Sequence, residues 1–272
     1  MRRILAALAV CAVADAAPAS ACELGLDGTA RQGGLLVGTA PQGAAVSVAG
    51  KRVRVSASGR FLVGFGRNAP KSVEVSARLP GGKAISCTVG VAPQTYKIQK
   101  IDGLPTRQVT PDPKALARIK EDNRAIRAVR RMDTAAEDFL AGFTWPVKGR
   151  ISGVYGSQRI LNGKPRSPHN GVDIAAPTGT PIVAPAPGRI VLVHPDMFYT
   201  GKSVMIDHGH GLSSIYVHMS RISVKEGQRV ERGQEIGHVG KTGRATGPHL
   251  HWGVSLFATH LDPMLLTGKM PK

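Results

Sequence analysis

All nine histidines of the 272-residue chain lie after Trp145, and three groups of them have spacings that could do chemistry. In Pro168-His169-Asn170-Gly171-Val172-Asp173 a histidine and a carboxylate stand four residues apart, a spacing that shares one face of a helix or a strand. Pro168 and Gly171 oppose a helix. In a fully extended strand the two Cα atoms would lie about 13 Å apart. A bend at Gly171 is therefore expected if both side chains are to reach one ion; otherwise Asp173 serves a turn. In Gly247-Pro248-His249-Leu250-His251-Trp252 the histidines stand two apart. In a strand both would project to one side, about 6.6 Å apart along the chain, with Leu250 facing the core. The bland alternative is a surface strand with two solvated rings. Tyr216-Val217-His218-Met219 closes a third apolar run, where a single histidine can be merely structural.

Taken together, two histidines and a carboxylate form a catalytic zinc set that leaves a fourth position for water. Other chemistries lack their signatures. There is no His-Glu-x-x-His helix, no Gly-x-Ser-x-Gly elbow and no phosphate- or dinucleotide-binding glycine loop. There are no paired cysteines for a structural zinc site.

The elements that must position these residues read as strands. Arg189 to Val193, Ser203 to Asp207, Leu212 to His218 and Leu250 to Leu256 are strand candidates in a domain spanning 144–272. Gly179-Thr180-Pro181-Ile182 and Gly227-Gln228-Arg229-Val230 form a slight internal echo that a duplicated hairpin unit would explain. Residues 157–167 read as a loop that shapes the groove. Before this domain, 99–143 reads as a helical linker. Lys114 to Leu140 is the expected helix, with Leu116, Ile119, Ile126 and Val129 at near-helical spacing. Arg118, Arg124, Arg127, Arg130 and Arg131 make it basic, either as a solvated face or as a contact for an anionic polymer. Residues 22–98 read as a small β-sandwich. Val46-Ser47-Val48, Val53-Arg54-Val55, Val73-Glu74-Val75 and the stretch around Ile85 and Cys87 alternate with period two. That region holds no polar cluster, so its expected role is docking or spacing.

Residues 1–21 carry the pattern of a secretory signal. Arg2 and Arg3 precede an apolar run from Ile4 to Val13, and Ala19-Ser20-Ala21 offers a small-x-small cleavage site. The run is too short to span a bilayer. No later stretch is long and apolar enough to do so. An exported protein of the periplasm or cell envelope is expected, and a nucleic-acid partner is not, although the net charge of +18 draws the chain toward polyanions. Cys11 would leave with the signal, so Cys22 and Cys87 remain as an even pair for a disulfide. In a rival reading Cys22 is an acylated lipoprotein cysteine, but Ala19 stands where such signals usually carry leucine.

The order His-x-x-x-Asp, Tyr-x-His, His-x-His resembles the lysostaphin and LytM type of zinc metallopeptidase. Gly171-Val172-Asp173-Ile174-Ala175-Ala176-Pro177, Gly179-Thr180-Pro181, Asp207-His208-Gly209 and Thr242-Gly243-Arg244-Ala245-Thr246-Gly247-Pro248-His249-Leu250-His251 strengthen the likeness, which covers about Trp145 to Pro263. It implies a mainly β chain whose C-terminal domain is a β-sheet groove of duplicated hybrid motifs. It implies one zinc ion per chain held by His169, Asp173 and His251, with His218 and His249 lining the site, and hydrolysis of peptide cross-bridges in peptidoglycan. With no glutamate in the motifs, His249 is the candidate base and His218 the group that steadies the oxyanion; the two roles could be exchanged. Met219 stands where leucine is usual, a swap of similar volume. The alternative is a catalytically silent peptidoglycan-binding protein, or an activator of another hydrolase, that keeps the fold.

Overall fold

A computed structural model describes residues 22–271. The segment read as a signal, 1–21, lies outside the described residues. The chain is mainly β, built from several sheets. The largest has eight strands. Along its main path these are Arg229–Val230, Gly188–Met197, Gly201–Gly209, Leu212–Met219, His249–Leu256, Val172–Ala175 and Arg150–Gly153, and Thr259–Leu261 pairs at the far end of His249–Leu256. All four strand candidates of the C-terminal region lie within these strands.

Alternation gives this sheet two apolar faces. Ile190, Val204, Ile206, Tyr216, Leu250, Trp252 and Val254 enter the main core. Leu192, Met205, Ile215 and Val217 face the other way, where Ile126 and Val129 of the helix Pro113–Val129 pack on them. The helix begins where the sequence predicts. Asp112 caps it, its Oδ1 accepting from Ala115 N at 2.7 Å, and Pro113 occupies the first turn, where a missing N–H costs nothing.

The helix stops at Val129, eleven residues short of the expected Leu140. The following segment exchanges helical bonds for tertiary ones. Thr134 Oγ1 donates to Asp207 Oδ2 at 2.6 Å, and Thr134 O accepts from His210 N at 2.9 Å. Only a short 3-10 turn, Asp138–Ala141, follows. Leu116 is 52% exposed and is no part of the packed face. Arg130 leaves the solvated basic face; burial lowers its pKa to about 10.

In the N-terminal region a three-stranded and a four-stranded sheet share one core that includes Leu36, Val46, Phe61, Val63, Val75, Ala77 and Ile85. Cys22 and Cys87 are joined there by a disulfide. Val53-Arg54-Val55 is not a strand; it follows the short strand Lys51–Arg52, and Arg54 reaches out to pair with Asp133. The strand Arg60–Gly64 was not legible as alternation because both its faces are covered. Phe61 and Val63 face the N-terminal core, and Leu62 joins the core of the large sheet.

Residues 157–167 are not a plain loop. They hold the strands Gln158–Leu161 and Lys164–Pro165, and the first pairs in parallel with Ile98–Ile101, a strand that crosses the boundary expected at 98/99. Among the described residues no helix is long and apolar enough to cross a membrane.

Candidate metal centre and active site

Asp173, His251 and Val217 are register partners across neighbouring strands, so they form one row on one sheet face. His249 lies two residues before His251 on the same strand and shares that face, while Leu250 is fully buried on the other. His169 arrives from the loop before Val172. The bend expected at Gly171 needs no left-handed backbone there. The glycine serves close approach: a Cβ would lie 2.3 Å from Trp252 O and 2.9 Å from His251 Cε1. On the other side of Asp173, the register with Arg150–Gly153 shifts between Asp173 and Ile174. There a Cβ on Gly153 would fall 2.4 Å from Asp173 Oδ2.

These constraints bring three donor atoms together. Asp173 Oδ1 lies 2.7 Å from His251 Nδ1 and 2.9 Å from His169 Nε2, and the two ring nitrogens are 2.8 Å apart. His169 Nδ1 faces Val154 O at 3.1 Å, an atom that can only accept, so the proton sits on Nδ1 and the lone pair of Nε2 points into the cluster. Neutral rings and an ionised carboxylate then share at most one proton, on His251 Nδ1, among three mutually close acceptors. A cation satisfies such a set. Tetrahedral zinc, with bonds of about 2.0–2.1 Å, holds its donors about 3.3 Å apart, so the three atoms, at 2.7–2.9 Å, need to spread by only about half an ångström to take it.

The protonation states suit a metal as well. Burial tends to raise the Asp173 carboxyl, but the imidazoles of His169 and His251 beside it outweigh that and hold it well below the usual range. Burial lowers His251 to about 4 against the pull of Asp173. A neutral imidazole and a carboxylate are the forms that bind metal.

His218 and His249 stand beside this cluster, their ring centroids 4.7 Å apart, and His218 lies 6.4 Å from His251. His218, next to last in its strand, has φ of +63°, a left-handed conformation rare for a non-glycine residue, which turns its ring out of the strand's alternation. Its Nδ1 donates to Thr242 O at 2.8 Å; His249 Nδ1 donates to Gly247 O at 2.8 Å. Each ring thus presents an unprotonated Nε2. The site opens to a cleft of about 160 Å³ lined by Asp173, His218, His249, Arg159, Arg244 and Gln99.

All five residues singled out in the sequence meet here. Arg159, whose Nη2 donates to Asp173 Oδ2 at 2.5 Å, and Gln99, which holds Arg159, were missed. Neither belongs to a recognisable motif, and only the parallel pairing of their strands brings them to the site.

Residues 167–263 match the family model described as Peptidase family M23. The crystal structure of a putative peptidase M23 from Pseudomonas aeruginosa is 32% identical and superposes with a TM-score of 0.67, covering 88% of this chain and 96% of that one. The chain belongs to peptidase family M23. Two Vibrio cholerae M23 relatives carry names that state an activity. Peptidoglycan DD-endopeptidase ShyA is 46% identical over 39% of this chain and 24% of its own length. Peptidoglycan DD-endopeptidase ShyB is 42% identical over 49% of this chain and 28% of its own. The matches thus span about a quarter of the length of these curated M23 relatives.

Proposed function

We propose that this M23 protein is a zinc-dependent endopeptidase that hydrolyses peptide cross-bridges of bacterial peptidoglycan in the cell envelope. The observation that carries the reading is the triangle of His169 Nε2, Asp173 Oδ1 and His251 Nδ1, three donor atoms within 2.9 Å of one another on a sheet face that opens to a cleft. The names of the Vibrio cholerae relatives supply the substrate class. Held by these atoms, zinc would supply Lewis acidity, lowering the pKa of water toward about 7 and polarising a peptide carbonyl.

The remaining chemistry falls to the chain's own side chains. His249 Nε2, 4.0 Å from Asp173 Oδ1, is placed to take the proton of the attacking water. In the tautomer set by Gly247 O that nitrogen has a lone pair to receive it, and the resulting imidazolium can return the proton to the leaving amine. His218 is held neutral by burial, reinforced by the neighbouring His249 and His251 rings, with its pKa lowered to about 3. It therefore accepts a hydrogen bond at Nε2 and orients the water.

The test is release of muropeptides from purified cell wall, with zinc content measured on the same samples. Activity that is lost to a chelator and restored by zinc is the expected result. Full metal loading without any peptide release would instead support the silent, wall-binding alternative.

A further inference from the structure

Asp173 uses its two oxygens differently. Oδ1 faces His169 and His251, and Oδ2 accepts from Arg159 Nη2 at 2.5 Å. The carboxylate is buried to 6% exposure, and Gly153 leaves only enough room for Oδ2 where it stands. Arg159 is itself oriented: its Nε donates to Gln99 Oε1 at 3.2 Å, and the two residues are register partners in the parallel pairing of Gln158–Leu161 with Ile98–Ile101. Both precede residue 167, where the family match begins.

A carboxylate that swings can put both oxygens on one ion and fill the position a catalytic site keeps open. A guanidinium on the second oxygen opposes that swing, because turning Oδ2 toward the histidines would break a charge-assisted bond to a buried carboxylate. Outer partners of this kind fix the direction of ligating carboxylates in general. We infer that Arg159, held by Gln99, is a positioning residue that keeps Asp173 on the metal through Oδ1 alone. The inference rests on the zinc reading above and adds to it a link from the Ile98–Ile101 strand into the site.

The experiment loads the full-length protein with cobalt(II) in place of zinc and records its visible spectrum, which is strong for four-coordinate and weak for five-coordinate cobalt. The parent is expected to show the four-coordinate spectrum. Arg159→Gln is expected to shift to the weaker form and to hydrolyse cell wall about 10- to 100-fold more slowly. Arg159→Lys keeps the charge but not the planar fork, so its spectrum should lie between the two. Gln99→Leu should shift the spectrum in the same direction by less, and it keeps the test decisive if Arg159→Gln does not fold. Variants with the parent's spectrum overturn the inference, even if their activity falls. A parent that takes up no cobalt or zinc overturns the zinc reading itself, and the inference with it.

Discussion

His218 and His249 face each other with ring centroids 4.7 Å apart, and each gives its Nδ1 proton to a backbone carbonyl, Thr242 O and Gly247 O. Both therefore point a lone pair toward the cleft, although one lies next to last in a strand in a left-handed conformation and the other opens a strand without one. Two bases are aimed at one space beside a cluster of donor atoms that neither joins.

The proposed zinc reading gives His249 and His251 different roles. His251→Ala removes one of three donor atoms and should lose both zinc and turnover, since two protein ligands hold the ion poorly. His249→Ala should keep near-stoichiometric zinc and lose about 100- to 10,000-fold in rate. His218→Ala should also keep its metal. Metal per chain and cell-wall hydrolysis, measured on the three variants side by side, check this. Zinc lost from His249→Ala but retained by His251→Ala would invert the assignment.

Gly171→Ala should damage the site without replacing a candidate ligand. Its Cβ would meet Trp252 O at 2.3 Å and Gly253 Cα at 3.0 Å, both backbone atoms with no rotamer to yield. Overpacking of this kind costs about 1–3 kcal/mol, and here it displaces the segment that carries His169. Lower stability and weaker zinc binding are expected together. Gly90→Ala, with nothing within 4 Å of its added Cβ, is the control. Equal denaturation midpoints for the two would refute the packing argument.

The Cys22–Cys87 bridge spans 65 residues of the N-terminal region. A loop of that size is worth about 4 kcal/mol in the chain-entropy model. Replacing both cysteines by serine should lower the unfolding midpoint of that region. Zinc stoichiometry should stay at the parent value, because the bridge and the metal cluster belong to different sheets. Metal loss in step with the bridge would show instead that the two regions unfold as one.

What was legible in the sequence is what local periodicity controls. His249-Leu250-His251 reads as a strand with two rings on one face, and it is one. The end of the helix was not legible. Nothing between Arg130 and Leu140 breaks a helix by propensity; the segment is claimed by Thr134 bonding to Asp207 and His210. Arg60–Gly64 was hidden because a strand buried on both faces carries no alternation. Arg159 and Gln99 were hidden because 60 residues separate them, and parallel pairing leaves no turn between partners for a reader to find.

His208 makes stability depend on pH. Burial lowers its pKa from the ordinary 6.5. The ring is enclosed: Nδ1 donates to Pro187 O at 2.6 Å, Nε2 accepts from Ser214 Oγ at 2.8 Å, and Phe143 stands edge-on at 5.0 Å. The folded site favours the neutral ring, so below about pH 6.5 the unfolded chain binds more protons than the folded one. The group's contribution is complete above that pH. It declines as acid is added, by at most about 1.4 kcal/mol per pH unit, until the folded ring itself titrates. Urea unfolding of the parent and of His208→Gln at pH 7.5 and pH 5 isolates this group from other titrating residues. The variant should be less stable at pH 7.5 because it leaves part of the enclosed space unfilled, yet it should lose less stability on acidification. Equal losses in the two proteins would mean that His208 is protonated as readily in the fold as in the open chain.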